Sequence, residues 1–220
     1  MSSYTKNMKT LQTILVEANA YLDLEAAEPS GTELTTRSSY ANQAVWEATA
    51  VAQFREFQNV YTVNVSSSAS ISLPSNFREF MVAPQLLDSS GKWVPYEQID
   101  PMEIYNKQSS DKYCYVLGNP ASGYTAIFNN LTANSTLSIV YQRYPSGLAT
   151  LTDVCELSDP QYVVEKVKSY VLQSRRDERF PQVDAMAEQK LKNMVGRSQK
   201  LPQGGSNQVR RTGAASYILS

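Results

Sequence analysis

Catalysis near neutral pH most often rests on an imidazole, and this 220-residue chain contains no histidine. Serine and cysteine nucleophiles are thereby left without their usual base, and zinc sites without their commonest ligand. The only cysteines are Cys114 and Cys155. Two thiols make no disulfide framework, so both are expected as small buried apolar groups. Carboxylates are scattered. Asp100 and Glu103 lie close together, but at the start of an expected helical turn, where acidic groups suit the helix dipole. The densest charge run is Arg175-Arg176-Asp177-Glu178-Arg179. Mixed signs at a helix end read as a solvated face with local ion pairs, a phosphate-contacting patch being the sharper alternative. There is no G-x-x-x-x-G-K-[ST], no G-x-G-x-x-G after a strand, no G-x-S-x-G and no pair of C-x-x-C. A hydrolase built on two distant carboxylates stays open. The expectation is a protein that is not an enzyme and uses neither metal nor cofactor.

Composition points toward contacts rather than chemistry. Hydrophobic residues make up 42% and charged residues 19%, ordinary values for a globular chain with a substantial core. The formal net charge is −1, so no global field draws in nucleic acid or membrane. No run approaches the roughly 18 apolar residues of a membrane span, and the first residues show no apolar signal segment. Cytoplasmic synthesis is expected, and the three Asn-x-Ser/Thr matches at Asn64, Asn130 and Asn134 read as coincidence. Fourteen tyrosines against six phenylalanines favour partly wet contact surfaces, because each ring carries a polar tip.

Helices must position these groups at both ends of the chain. Met8, Leu11, Ile14, Leu15, Ala18 and Leu22 repeat at helical spacing between about residues 5 and 24. Glu28-Pro29-Ser30-Gly31 breaks the pattern, and a second helix is expected from about Ser39 to Gln58, capped by Ser38 or Ser39. That segment has two apolar stripes. Ala44, Val45, Ala48, Val51 and Ala52 form one, and Trp46, Ala50 and Phe57, with Phe54 at the edge, form the other. Such a helix sits between two partners, the second either within its own domain or a neighbouring subunit. Trp46, Phe54 and Phe57 are therefore the candidate subunit-interface residues.

From Tyr61 the period becomes two. Tyr61, Val63 and Val65, then Ala69, Ile71 and Leu73, alternate around Ser66-Ser67-Ser68 and predict a β-hairpin. Further strands are expected near Phe80–Val82, Trp93-Val94, Tyr113–Leu117, Tyr124–Phe128 and Leu137–Tyr141, with a short helix capped by Asp100 before Pro101. The helical period returns after Ser158-Asp159-Pro160, with Val163, Val167, Tyr170 and Val171 on one face. After Phe180-Pro181 a last helix presents Val183, Ala187, Leu191, Met194 and Val195.

The expected fold class is α+β. N- and C-terminal helix pairs form an antiparallel four-helix bundle, with a central antiparallel β-domain inserted and an extended C-terminal tail. The expected divisions are 1–59, 60–149 and 150–200, followed by an arm at 201–220. That arm, Leu201-Pro-Gln-Gly-Gly-Ser-Asn-Gln followed by Val209-Arg210-Arg211 and finally Tyr217-Ile218-Leu219, reads either as a tether with a docking plug or as a chain end without consequence.

Three stretches carry a family resemblance. Ile71-Ser-Leu-Pro-Ser-Asn-Phe-Arg-Glu-Phe-Met, Leu137-Ser-Ile-Val-Tyr-Gln-Arg-Tyr-Pro-Ser-Gly-Leu, and Leu157-Ser-Asp-Pro with the later Asp184-Ala-Met-Ala-Glu-Gln-Lys-Leu resemble segments of the head-to-tail adaptors of tailed bacteriophages. They fall in order between about residues 60 and 195, and the N-terminal helices fit by position. The resemblance implies a virion protein of the neck, a ring of about 12 copies bound beneath the portal protein. A tail or nozzle protein would follow below, and DNA would pass through the lumen without sequence-specific binding. It also implies that Val209, Arg210, Arg211, Tyr217, Ile218 and Leu219 form a portal-docking arm. Another neck, head-completion or tail-terminator ring, a connector-associated cell-wall hydrolase, and a carbohydrate- or adhesin-type binding module are the alternatives.

Overall fold

The computed structural model describes residues 8–23, 27–65, 69–132 and 135–200, with side chains to 198. Among these residues four α-helices run Leu11–Leu22 (α1), Gly31–Val51 (α2), Gln161–Arg175 (α3) and Phe180–Lys200 (α4). Thr10 caps α1, its hydroxyl accepting from the Thr13 N–H. α2 starts some eight residues before its expected Ser39, because Ser30 occupies the cap position and Gly31 tolerates φ +55° at the first turn. The segment that looked like a break is the start of this helix. Asp159 accepts from the Gln161 N–H to open α3, and Arg176 closes it in the left-handed conformation, φ 54°.

The helices pack together with α3 in contact with α1, α2 and α4. Cross-links give the directions. Lys9 meets Gln161 at one end, and Asp23 meets Arg175 at the other, so α1 and α3 run the same way. Glu33 at the start of α2 lies beside Arg175, and Lys166 reaches Asp184 and Glu188, so α2 and α4 run opposite to α3. This is the expected antiparallel bundle. Its core joins Leu11, Ile14, Leu15 and Ala18 to Ala41, Ala44, Val45 and Ala48, and both to Tyr162, Val163, Val167, Val183, Ala187 and Met194. Alanines on the inner face of α2 allow close helix approach. Val51, expected on that face, is 62% exposed at the helix end.

Among the described residues nine strands make two sheets: Gln58–Val65 (β1), Ser70–Ser72 (β2), Phe77–Phe80 (β3), Gln85–Leu87 (β4), Trp93–Pro95 (β5), Glu97–Gln98 (β6), Tyr113–Asn119 (β7), Gly123–Phe128 (β8) and Ser135–Arg143 (β9). One sheet has the order β1-β9-β4-β5 with β3 also on β9, and the other β2-β8-β7-β6. The expected hairpin between β1 and β2 does not form. β1 pairs with β9 and β2 with β8, so the two strands lie in different sheets. Alternation identifies a strand but not its partner, and here the partners are distant in sequence. The domain is antiparallel apart from the short parallel pair β6–β7.

Residues of both sheets share one core containing Val65, Phe77, Leu86, Cys114, Phe128, Leu137, Ile139 and Tyr141. β7 and β8 form a true hairpin. At Gly118, φ +111°, a Cβ would sit 2.1 Å from the Gly123 carbonyl oxygen, so the turn requires glycine. Asp88 makes the β4–β5 turn by accepting from the Ser90 and Lys92 N–H groups.

Candidate functional site: the outer contact surface and the bundle–sheet junction

Of the three expected interface residues, one is on the surface. Trp46 is 45% exposed, its ring centroid 5.2 Å from that of Tyr144. Phe54 and Phe57 are 1% and 0% exposed and belong to the bundle core, which corrects their expected outward placement. The reason is that α2 stops at Val51. Ala52 and Phe54 are extended, and a 3₁₀ turn at Arg55–Phe57 follows, so both rings enter the bundle core instead of lying on a helix face.

That turn forms one wall of a clamp between the layers. Arg143, at the end of β9, binds Glu156 through both guanidinium ends, at 3.1 and 2.7 Å. It also donates to the Glu56 carbonyl at 3.3 Å and lies 5.3 Å from the Phe57 ring centroid. Arg78 of β3 donates to the Thr49 carbonyl at 2.6 Å, and Gln53 donates to Glu79 at 2.9 Å. A pocket of about 280 Å³ sits over the clamp, lined by Met8, Glu56, Arg143, Val154, Cys155 and Glu156. Ring contacts then run from Trp46 to Tyr144, whose hydroxyl lies 3.5 Å from that of Tyr124, and on to Phe77 and Tyr141. The Trp46 surface is thus tied to the β core.

Polar clusters also cross-link the bundle. At its far end Asp23 binds Arg37 and Arg175 at 2.8 and 2.7 Å. The Arg175 hydrogen bond, then that of Arg37, outweighs burial and holds this carboxyl below its usual range. In the charge run beyond α3, Arg179 binds Asp177, whose carboxyl is lowered to about 2 chiefly by that hydrogen bond. Between α2, α3 and α4, Tyr170 donates to Glu47, and Lys166 pairs with Asp184 and Glu188, each at 3.0 Å. Burial raises Tyr162 and Tyr170 far above the usual phenol range, so both stay protonated. Burial works against the Asp184 carboxylate, but hydrogen bonds from Lys166 and Ser169 prevail and lower its pKa. The arrangement suits cross-linking of helices.

Burial raises the Cys114 and Cys155 thiols to about 12 and about 11, so at neutral pH neither supplies a thiolate. Among the described residues, no group of three or more cysteine or carboxylate side chains is placed to hold a metal ion, and no helix is long and apolar enough to cross a membrane. The expected docking residues Val209, Arg210, Arg211, Tyr217, Ile218 and Leu219 lie outside the described residues.

Other exposed apolar groups were not singled out from the sequence. Tyr105 is 90% and Met102 77% exposed on a 3₁₀ helix at Pro101–Asn106, and Val60 is 58% exposed on β1. The Asp100-Pro101 start was legible. What it could have signalled is that residues three apart on a 3₁₀ helix share a face. Comparison with known proteins adds no name to this surface: no protein-family model matches the chain, and no curated protein matches it.

Proposed function

We propose that this chain is a structural subunit of a phage neck, a head-to-tail adaptor that assembles as a ring on the portal and offers a surface to the tail. The observation that carries the reading is the architecture. Helix pairs from the two ends of the chain close one bundle, and the β-domain inserted between them projects from one end. That is the layout the resemblance implies, and a ring of side-by-side bundles with a distinct β layer has two different platforms to offer.

Three features support it. Trp46 supplies an aromatic anchor on the outer face of α2, where Gln43 and Ala50 are also exposed. The Arg143–Glu156 clamp fixes the β layer to the bundle, as a part transmitting mechanical load requires. The direction of α4 puts Lys200, to which residues 201–220 are joined, at the end of the bundle that carries the β-domain. In this reading the function is mechanical. Subunits add to the portal, extend its channel and present the next attachment surface, while near-zero net charge lets DNA slide past.

Deleting Leu201 to Ser220 tests the arm. The truncated chain is expected to keep its fold by circular dichroism and to wash off portal-bearing particles that retain the full chain. Equal retention of both would remove the arm from the mechanism.

A further inference from the structure

The longest edge of the β-domain is open. β1 has β9 on one side and no strand on the other among the described residues. Its sequence, QNVYTVNV, has no charged residue and no proline. Exposed edges are normally blunted by such residues or kept short, because unpaired peptide groups invite another strand. The other edge strands among the described residues follow that rule. β2 has three residues, β5 three with Pro95, β6 two with Glu97, and β3 four with Arg78 and Glu79.

Which peptide groups face outward follows from the ladder. The Met81 N–H donates to the Val140 carbonyl at 2.9 Å, so that carbonyl points away from β1. Val140 lies opposite Val60. In an antiparallel pair, directly opposed residues turn their peptide groups either both inward or both outward. Those of Val60 therefore point to the open edge, and with period two so do those of Gln58, Thr62 and Asn64. The Val60 N–H agrees, since it is satisfied by the Asn59 Oδ1 at 2.9 Å rather than by β9. On the core-facing side, Tyr61 and Val63 stay half-buried against the sandwich, while Val65 is 2% exposed.

We propose that β1 pairs edge to edge with β1 of a second copy, antiparallel about a twofold axis at Tyr61. This axis sets Val60 opposite Thr62 of the second copy and Gln58 opposite Asn64, so every outward peptide group faces another. A second copy fits for three reasons. Its β1 has the same eight-residue length, where every other open edge is shorter. Neither strand carries charge, so nothing repels. The twofold keeps both core-facing sides on one face, and each copy brings its own Tyr61 and Val63 to the half-covered flank. The pairing requires Asn59 to release the Val60 N–H. A contact of one strand edge is smaller than a standard stable interface, so the dimer is weak, with Kd on the order of 10–100 µM. It is isologous, whereas a ring needs head-to-tail contacts, so it is a property of the free chain independent of the adaptor reading.

Sedimentation velocity on the full chain from about 1 to about 300 µM, with amide hydrogen exchange at both limits, tests this. A reversible monomer–dimer equilibrium is expected, with exchange at Thr62 and Asn64 slowing at high concentration. Thr62→Pro removes an outward N–H without touching the β9 ladder, and Val60→Lys brings a cation to each strand. Each variant should raise Kd at least tenfold, and Trp46→Ala should dimerise like the parent. A chain monomeric throughout the range would overturn the proposal. So would an oligomer of any size in which Thr62 and Asn64 exchange as in the monomer, or a dimer unaffected by Val60→Lys in a folded variant.

Discussion

Replacing Arg143 by Met tests whether the junction clamp holds the two layers as one unit. The side chains of Arg143 and Glu156 are 17% and 28% exposed, so their two-ended ion pair is only partly screened. The substitution keeps most of the aliphatic volume but leaves Glu156 without its cation and the Glu56 carbonyl without a donor, and it removes the charge from the Phe57 ring. These losses sum to about 3 kcal/mol, most of it from the abandoned carboxylate. For a chain of this size that is a fall in Tm of about 6–12 °C. Urea unfolding followed by far-ultraviolet circular dichroism and tyrosine fluorescence is the assay. The parent should unfold in one transition by both probes, and the variant should separate them as the bundle and the sandwich uncouple. A double-mutant cycle with Glu156→Gln should give a coupling of about 1–2 kcal/mol. A destabilisation below about 0.5 kcal/mol, or an additive cycle, would refute the reasoning.

Further predictions concern acid, thiols and the outer face. Asp23 and Asp184 have folded-state pKa values below those of the unfolded chain, so their contribution is complete above the ordinary carboxylate value of about 3.9 and is lost as pH falls through the folded value. Asp23→Asn and Asp184→Asn should lower stability at pH 7 and flatten its fall toward pH 3, and parallel acid limbs would contradict this. Cys114 and Cys155 should resist a maleimide in the native chain at pH 8 and both react in urea; rapid native labelling of either would disprove their burial. Trp46→Ala should change stability by no more than about 1 kcal/mol, because the ring is half exposed, yet reduce the number of copies held on a portal.

The sequence was most informative where a pattern is local. Helical spacing located α1, α3 and α4, and the caps at Asp100 and Asp159 were recognisable because a side-chain oxygen reaches a neighbouring N–H. α2 shows where local reading fails. Pro29, Ser30 and Gly31 are turn residues that also begin helices, and Phe54 and Phe57 matched a helical period that continues in sequence after the helix has ended. Strand pairing was hidden for a different reason. β1 alternates as well with β2 as with β9, and only the closed sandwich selects the distant partner. The Arg143 clamp was equally invisible, because it joins Glu56, Arg143 and Glu156 from three segments with no shared motif.

The adaptor reading itself is tested most directly by native mass spectrometry of the chain alone and mixed with phage portal rings. The account predicts that the chain forms no ring by itself and appears as a portal-bound ring of about 12 copies in the mixture. A chain that binds no portal ring at concentrations where it remains folded would contradict it.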